Sequence, residues 1–285
     1  MRTATASVAR RLARIPTHVF LIVVCVAWVV PILGMLVSSF IPNTFSVNNG
    51  WWTAVARAPF GVNNYLNAFN QNHLGPKFLA SIAIAVPTTV IGVLLCCVAA
   101  FVLTIMSLPG RRAVLLFVTA LQVIPPQIVL APLLRMVHSV GLDGTVASVW
   151  IYELGLSVPF GILVLTAAFE SVPRELVEAA SIDGASNVDT FLRVVVPVTR
   201  GSIAGVGVIF FLWGWNELLG PLIFIGAQGS NSPLTTTIAS LAQGETQDQN
   251  LILAAAALSI VVPAAVFLAL QRFFVRGVLG GAVKG

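Results

Sequence analysis

Phe78-Leu79-Ala80-Ser81-Ile82-Ala83-Ile84-Ala85-Val86-Pro87-Thr88-Thr89-Val90-Ile91-Gly92-Val93-Leu94-Leu95-Cys96-Cys97-Val98-Ala99-Ala100-Phe101-Val102-Leu103-Thr104-Ile105 contains no charged side chain. About 20 apolar residues in helical form cross the hydrocarbon core of a bilayer. This run exceeds that length, so it reads as a membrane span. Working outward, five further runs qualify: Val19–Phe40, Val114–Val137, Thr145–Phe169, Ile203–Ile225 and Leu251–Phe274. Polar, Gly- or Pro-bearing connections separate them, such as Ser107-Leu108-Pro109-Gly110-Arg111-Arg112. The expected fold is an all-α integral membrane protein with six transmembrane helices.

The composition agrees. Charged residues make up 9% of the 285 residues and hydrophobic ones 58%, whereas a soluble domain carries about 25% charged residues. The basic residues form no dense run interleaved with aromatics, which argues against a nucleic-acid partner. Cys25, Cys96 and Cys97 all lie in apolar runs, without metal-ligand or CxxC spacing. No metal or cofactor is expected in this chain.

Arg10, Arg11 and Arg14 precede the first run as the n-region of a signal peptide would. The run is longer than a signal h-region, and Ser38-Ser39-Phe40-Ile41-Pro42 is a poor cleavage site. A retained first helix is expected. With the N-terminus inside, the inner segments hold Arg2, Arg10, Arg11, Arg14, Arg111, Arg112, Arg174, Arg193, Arg200, Arg272, Arg276 and Lys284. Arg57, Lys77 and Arg135 remain outside. That asymmetry obeys the positive-inside rule. It places both termini in the cytoplasm, with tails at 1–18 and 276–285 around a six-helix transmembrane domain at 19–275. Each span also contains proline (Pro31, Pro87, Pro125 with Pro126 and Pro132, Pro159, Pro221, Pro263). A bend in all six suits helices around a path, since proline removes a backbone donor.

Intramembrane charge is costly and commonly functional. Glu153 in span four and Glu217 in span five are the acids well inside, both in the outer half. Glu217 closes Trp213-Gly214-Trp215-Asn216-Glu217, which joins flat apolar faces to hydrogen-bonding groups. That mixture suits a hydroxyl-rich ligand such as a sugar. Aromatic-belt and helix-gluing roles remain open alternatives. Gln122 and Gln127 flank Pro125-Pro126 and are candidates for the same path or for helix–helix bonding. No chain of Asp, Glu and His runs through the spans as in proton-coupled carriers.

Between spans four and five, the loop at about 170–200 holds five of the ten acids: Glu170, Glu175, Glu178, Asp183 and Asp189. Two short helices at an angle are expected. Pro173 suits a first turn, Glu175 complements the dipole, and Asp183-Gly184 is a stop. Ser186-Asn187-Val188-Asp189 is a capping-box variant, opening a second helix that ends by Pro197. The small residues Ala179, Ala180 and Gly184 would let such a helix dock into a partner's groove. An amphipathic helix on the lipid surface is the alternative.

Glu178-Ala179-Ala180, then Gly184, then Val194-Val195-Val196-Pro197, resembles the EAA loop of ABC-importer permeases. Trp215-Asn216-Glu217 with Pro221-Leu222, Pro125-Pro126-Gln127 through Gly141-Leu142, and the ending Gly281-Ala282-Val283-Lys284-Gly285 are similar to the carbohydrate branch, the maltose/glycerol-phosphate type. Ala80 departs from a common Asn, and the first outside loop, Ile41 to Lys77, looks longer than usual, which bears on contacts with a solute-binding protein. The resemblance implies that Glu178, Ala179, Ala180, Asp183 and Gly184 dock an ATPase, and that the chain works beside a second, different permease subunit. Two ATPase subunits that bind ATP and Mg, and an extracytoplasmic solute-binding protein, would complete the complex in the cell membrane. The implied activity is sugar or polyol import by alternating access. The chain has no Gly-x-x-x-x-Gly-Lys-[Ser/Thr] phosphate loop of its own. Trp213, Trp215, Asn216, Glu217, Gln122, Gln127 and Glu153 are the candidate path or gate residues. A permease for amino acids, peptides or ions would share the EAA loop but lack the Trp-Asn-Glu motif. An integral-membrane enzyme would need a cluster of titratable groups, and here they are scattered.

Overall fold

The computed structural model describes residues 2–57, 59–106, 108–227, 229, 231–245 and 248–282, with side chains described from 16 to 271 except at 55 and 245. All regular structure among these residues is helical. Two compact units are present: residues 1–72 with 244–258, and residues 73–243 with 259–285.

The first unit is built on α1 (Arg2–Ser39), whose segment Pro16–Ser39 is long and apolar enough to span a membrane. The residues read as an N-terminal tail continue this helix. After α1 come α2 (Asn43–Ser46), α3 (Trp51–Arg57) and α4 (Asn63–Asn70). The chain folds back on α1. The Trp51 ring lies against Gly34, where an added Cβ would sit 3.0 Å from the indole. Amide side chains satisfy the exposed carbonyls at the end of α1. Asn64 donates to the Ser39 and Ile41 carbonyls at 2.9 and 2.8 Å, and Asn250 donates to the Ile41 carbonyl at 2.7 Å.

The second unit contains α5 (Leu74–Thr104), α6 (Arg111–Leu121), α7 (Pro126–Ser139), α8 (Val146–Glu170) and α9 (Arg174–Ile182). It continues through α10 (Asn187–Thr190), α11 (Val196–Asn216), α12 (Leu219–Phe224) and α13 (Leu234–Ser240). The last helix, α14 (Gln249–Ala282), is divided between the two units, and the ending Val283-Lys284-Gly285 lies outside the described residues. α5, α8 and α11 pack against one another. They are tightly packed at Gly161, where a Cβ would sit 2.5 Å from Cys96 Sγ and 2.6 Å from Phe210 Cζ. Around it Cys96, Phe101, Leu165, Phe169, Val195 and Phe210 form a buried apolar cluster.

Three sequence expectations are corrected here. Among the described residues five helices are long and apolar enough to span, and up to six if the bent pair α6 and α7 is one span; the third expected span is not one helix but this pair, bent by 96°. Pro125 and Pro126 cause this, because a residue before proline is pushed out of the helical region; Pro125 sits at ψ 132°. The fifth expected span stops at Asn216 rather than Ile225. Finally, the second helix of the loop does not end by Pro197. Asn187–Asn216 runs on as one element through a π-helical turn at Phe191–Val195. Pro197 lacks the N–H for the Arg193 carbonyl and crowds it, and the widened turn immediately before it relieves that conflict.

The helices α5, α8 and α14 also run through their prolines, Pro87, Pro159 and Pro263. A helical proline frees the carbonyl four residues earlier, and in lipid that group needs another donor. Two such carbonyls receive indole N–H groups. Trp150 donates to Ala83 O at 2.9 Å, opposite Pro87, and Trp215 donates to Ser259 O at 3.0 Å, opposite Pro263.

Candidate functional site

α11 ends at Asn216, whose amide turns back to the Leu212 carbonyl at 2.7 Å. Glu217 is extended, and its carboxylate accepts the Leu219 and Gly220 N–H groups at 2.9 and 3.1 Å. An acid at a helix N-terminus satisfies orphan donors there. Glu217 therefore ends one helix and starts the next. The following connection is tied back to the break and to the first part of α5: Thr235 donates to Glu217 O at 2.8 Å, Leu234 N–H to Ser81 Oγ at 2.9 Å, and Lys77 to Gly229 O at 2.6 Å.

Beside this break lies a cavity of about 270 Å³ between α5, α6, α8 and α11. Gln122, Glu153, Trp213 and Glu217 line it. Glu153 projects from α8 and is 8% exposed; its Oε1 has no hydrogen-bond partner among the described residues. The nearby Thr88 hydroxyl donates to its own helix, to the Ile84 carbonyl at 2.7 Å. Gly214 makes room for the carboxylate, since a Cβ there would stand 2.8 Å from Glu153 Oε2 and 3.3 Å from the α5 backbone at Ala85. Trp213, 48% exposed, stacks on Phe210 at 6.1 Å and also meets Phe160 at 5.0 Å.

The other three sequence candidates do not line this cavity. Trp215 is 1% exposed, packed between Phe78 and Phe211, with its N–H spent on the proline-freed Ser259 carbonyl. Asn216 and Gln127 are exposed away from the cavity lining. Sequence reasoning missed Thr88, Tyr152, Ser157 and the backbone of Gly155, which do line it. Ser157 lies one turn from Glu153, a spacing that could have flagged it.

The loop after α8 forms a second candidate site. α9 has no buried residue; Glu178, Ala179, Asp183 and Gly184 are exposed, Ala180 half-buried, and Ile182 86% exposed. It ends in a Schellman motif. Gly184 adopts φ +78°, its N–H reaches Ser181 O at 3.1 Å, and Ala185 N–H reaches Ala180 O at 2.9 Å. Next, Ser186 caps α10: it accepts the Asp189 N–H at 3.1 Å and donates to Asp189 Oδ2 at 2.6 Å. Val172 is buried, and Val177 packs on the apolar cluster, so α9 is held at its base with an open outer face. Arg111 at the start of α6 pairs with Glu170 at the end of α8.

Residues 92–280 match the family of binding-protein-dependent transport system inner membrane components. The chain belongs to this family. It is a multi-pass inner-membrane protein and an ABC-transporter permease. It is 36% identical to the osmoprotective compounds uptake permease protein GgtD of Synechocystis sp., over 95% of this chain and 92% of that one. It is also 36% identical to the alpha-glucoside transport system permease protein AglG of Rhizobium meliloti, over 82% of this chain and 63% of that one. A chain in the crystal structure of a bacterial ABC transporter that imports the acidic polysaccharide alginate has the same fold, with a TM-score of 0.74 at 17% identity, covering 93% of this chain and 97% of that chain. Both candidate sites in this permease are free of any cluster of His, Cys, Asp and Glu able to hold a metal among the described residues.

Proposed function

We propose that this permease forms half of the membrane path of an ATP-driven importer for a sugar or a related polyol or oligosaccharide. The observation that carries the reading is the capped helix α9, which buries no residue completely and presents an open outer face in a permease of this family. Its exposed small residues and acids suit docking into a groove of an ATPase subunit. Both termini and α9 then lie in the cytoplasm, as the basic residues demand. Glu178, Ala179, Ala180, Asp183 and Gly184 form the docking face. The chain carries no phosphate loop, so ATP and Mg belong to two ATPase partners. A second permease subunit completes the path, and a solute-binding protein delivers the solute from outside. The sugar class rests on the name of the alpha-glucoside relative and on the aromatic and polar mixture in the cavity. Gln122, Glu153, Trp213 and Glu217 line the path, with Trp215, Asn216 and Gln127 supporting the gate around the helix break.

The test is reconstitution of the complete importer in proteoliposomes. ATP-dependent uptake of an α-glucoside is expected, and Glu178→Lys or Gly184→Arg should abolish both uptake and ATPase co-purification. Normal ATPase retention in both variants would refute the docking face. ATP-dependent uptake of an amino acid or ion with no uptake of any sugar would refute the substrate class.

A further inference from the structure

The spanning segment of α1, Pro16–Ser39, holds 24 residues. That is about 36 Å of helix at 1.5 Å per residue, against a hydrocarbon core of about 30 Å. Ser39 therefore stands where hydrocarbon gives way to headgroups. The outer segment that follows is fastened to this level rather than raised above it. Trp51 of α3 packs on Gly34, which lies about 7 Å back along the helix from Ser39. The Gly61 N–H donates to Phe40 O at 2.8 Å, and Asn64 at the start of α4 holds the Ser39 and Ile41 carbonyls. The next residue, Tyr65, shares a hydrogen bond of 2.6 Å with Ser39 Oγ and sets its ring 4.9 Å from that of Phe40.

Held at that depth, α4 has the reverse of the pattern that water selects. A helix facing water turns its apolar stripe inward. In α4 the buried residues are Asn64 and Ala68, while Leu66 and Phe69 face outward, 52% and 47% exposed. Trp52 of α3 is 68% exposed, and Phe60 between the two helices is exposed as well. These side chains extend the exposed apolar surface of α1, which reaches Leu33 and Leu36 beside the Trp51 contact. The charge pattern points the same way. From Ile41 to Lys77 the chain has no Asp or Glu, and its Lys and Arg are Arg57 and Lys77 alone. Arg57 ends α3 exposed, and a guanidinium pairs well with phosphate oxygens. Tryptophan beside such a cation is the usual composition of the membrane–water interface.

We propose that α3 and α4 are an interfacial anchor, whose face carrying Trp52, Phe60, Leu66 and Phe69 rests in the outer leaflet of the phospholipid bilayer. A helix lying in that plane buries its apolar face by about 5–10 Å, which matches the depth at which Trp51 meets α1. The length of the first outside loop then serves the membrane rather than contact with a solute-binding protein. This placement requires only that the chain spans the membrane, and it stands whatever solute is carried.

The test is site-directed spin labelling of the assembled permease–ATPase complex in phospholipid nanodiscs, in a background freed of Cys25, Cys96 and Cys97. Nitroxides are placed at Leu66→Cys and Phe69→Cys, with Asn231→Cys, exposed in the connection before α13, as the aqueous reference. Oxygen concentrates in lipid and a hydrophilic nickel chelate stays in water, so the ratio of their collision rates reads depth. A ratio at Leu66 and Phe69 at least about fivefold above that at Asn231 is expected for side chains seated in the interface. A ratio equal to the aqueous reference would overturn the anchor, and loss of nickel collisions on adding the solute-binding protein would then identify that protein as the occupant. Low collision rates with both reagents and an immobilised spectrum would overturn it in favour of a second permease subunit covering the face. If one label prevents assembly, the other decides alone.

Discussion

Replacing Gly184 isolates the contribution of backbone conformation to α9. Gly184 holds φ +78°, and a Cβ added there meets nothing within 4 Å in this subunit. The effect of Gly184→Ala within the chain is therefore conformational rather than steric. An L-residue in the left-handed region costs about 1–2 kcal/mol, and 1.4 kcal/mol is about tenfold in an equilibrium constant. The two Schellman hydrogen bonds, Gly184 N–H to Ser181 O and Ala185 N–H to Ala180 O, exist only in that conformation. If the ATPase grips α9 only when this cap is formed, Gly184→Ala should weaken ATPase assembly by about five- to thirtyfold. Asn enters the left-handed region far more readily than Ala, so Gly184→Asn should be milder despite its greater bulk. The assay is titration of purified ATPase subunit onto the permease in nanodiscs, read by co-elution or by fluorescence anisotropy. The order wild type, Asn, Ala is the signature of a conformational requirement. The size order, with Asn worse than Ala, would show that the partner needs space at residue 184, and the reasoning would fail.

Other substitutions test the framework around the two sites. Ser186→Ala removes the cap of α10 and should cost about 1 kcal/mol; thermal melts monitored by α-helical circular dichroism, compared with Thr at the same position, check it. Gly161→Ala puts a methyl group 2.5 Å from Cys96 Sγ and 2.6 Å from Phe210 Cζ, so overpacking of about 1–3 kcal/mol is expected, visible as a lower melting temperature in detergent. Trp215→Phe keeps most of the ring contact but strands the Ser259 carbonyl opposite Pro263, and a loss of about 1–3 kcal/mol should follow, largely recovered in the double variant with Pro263→Ala, which restores the helical N–H.

Much of the fold was legible because lipid imposes length and polarity on every span. What escaped was local. Pro125-Pro126 announced a bend in the apolar run 114–137, but not that the run breaks into two helices at 96°, because hydropathy averages over a break that costs little apolar character. Likewise Glu217 looked like a residue within a span; its capping of Leu219 and Gly220 is visible only once the backbone is known. In the loop, Gly184 and Ser186 announced their caps directly, since turn and cap chemistry is carried by single residue types. Trp215 was drawn to the path by its neighbours in sequence, yet successive helical positions point about 100° apart, so Trp213 and Trp215 serve different surfaces. The lining by Gly155 left no side-chain signature at all.

The two candidate sites are ends of one object. From Asn187 to Asn216 the chain is continuous helix of 30 residues, about 45 Å long at 1.5 Å per residue. One end follows directly from the capped turn after α9, and the other carries Trp213 and stops at the Glu217 break. A stiff rod of this kind moves its far end when its near end is turned, provided its middle is packed; Val195, Val206 and Phe210 supply that packing. The exception is the π-helical turn at Phe191–Val195, where widened hydrogen bonding permits a change of helical phase. Motion applied at α9 therefore meets one soft point near the start of the rod, and then a regular helix from Val196 to the break at Glu217. On the proposed reading, rotation at the docking helix reaches Trp213 and the Glu153 cavity as movement of a rigid body, and the two helix irregularities mark where that body begins and ends. Cross-linking α11 to α5 through cysteines introduced at Gly207 and Val93, neighbours across that interface, in a background freed of Cys25, Cys96 and Cys97, should then stop solute uptake while leaving ATPase docking intact. Uptake that survives a complete cross-link would mean that the rod does not move against α5.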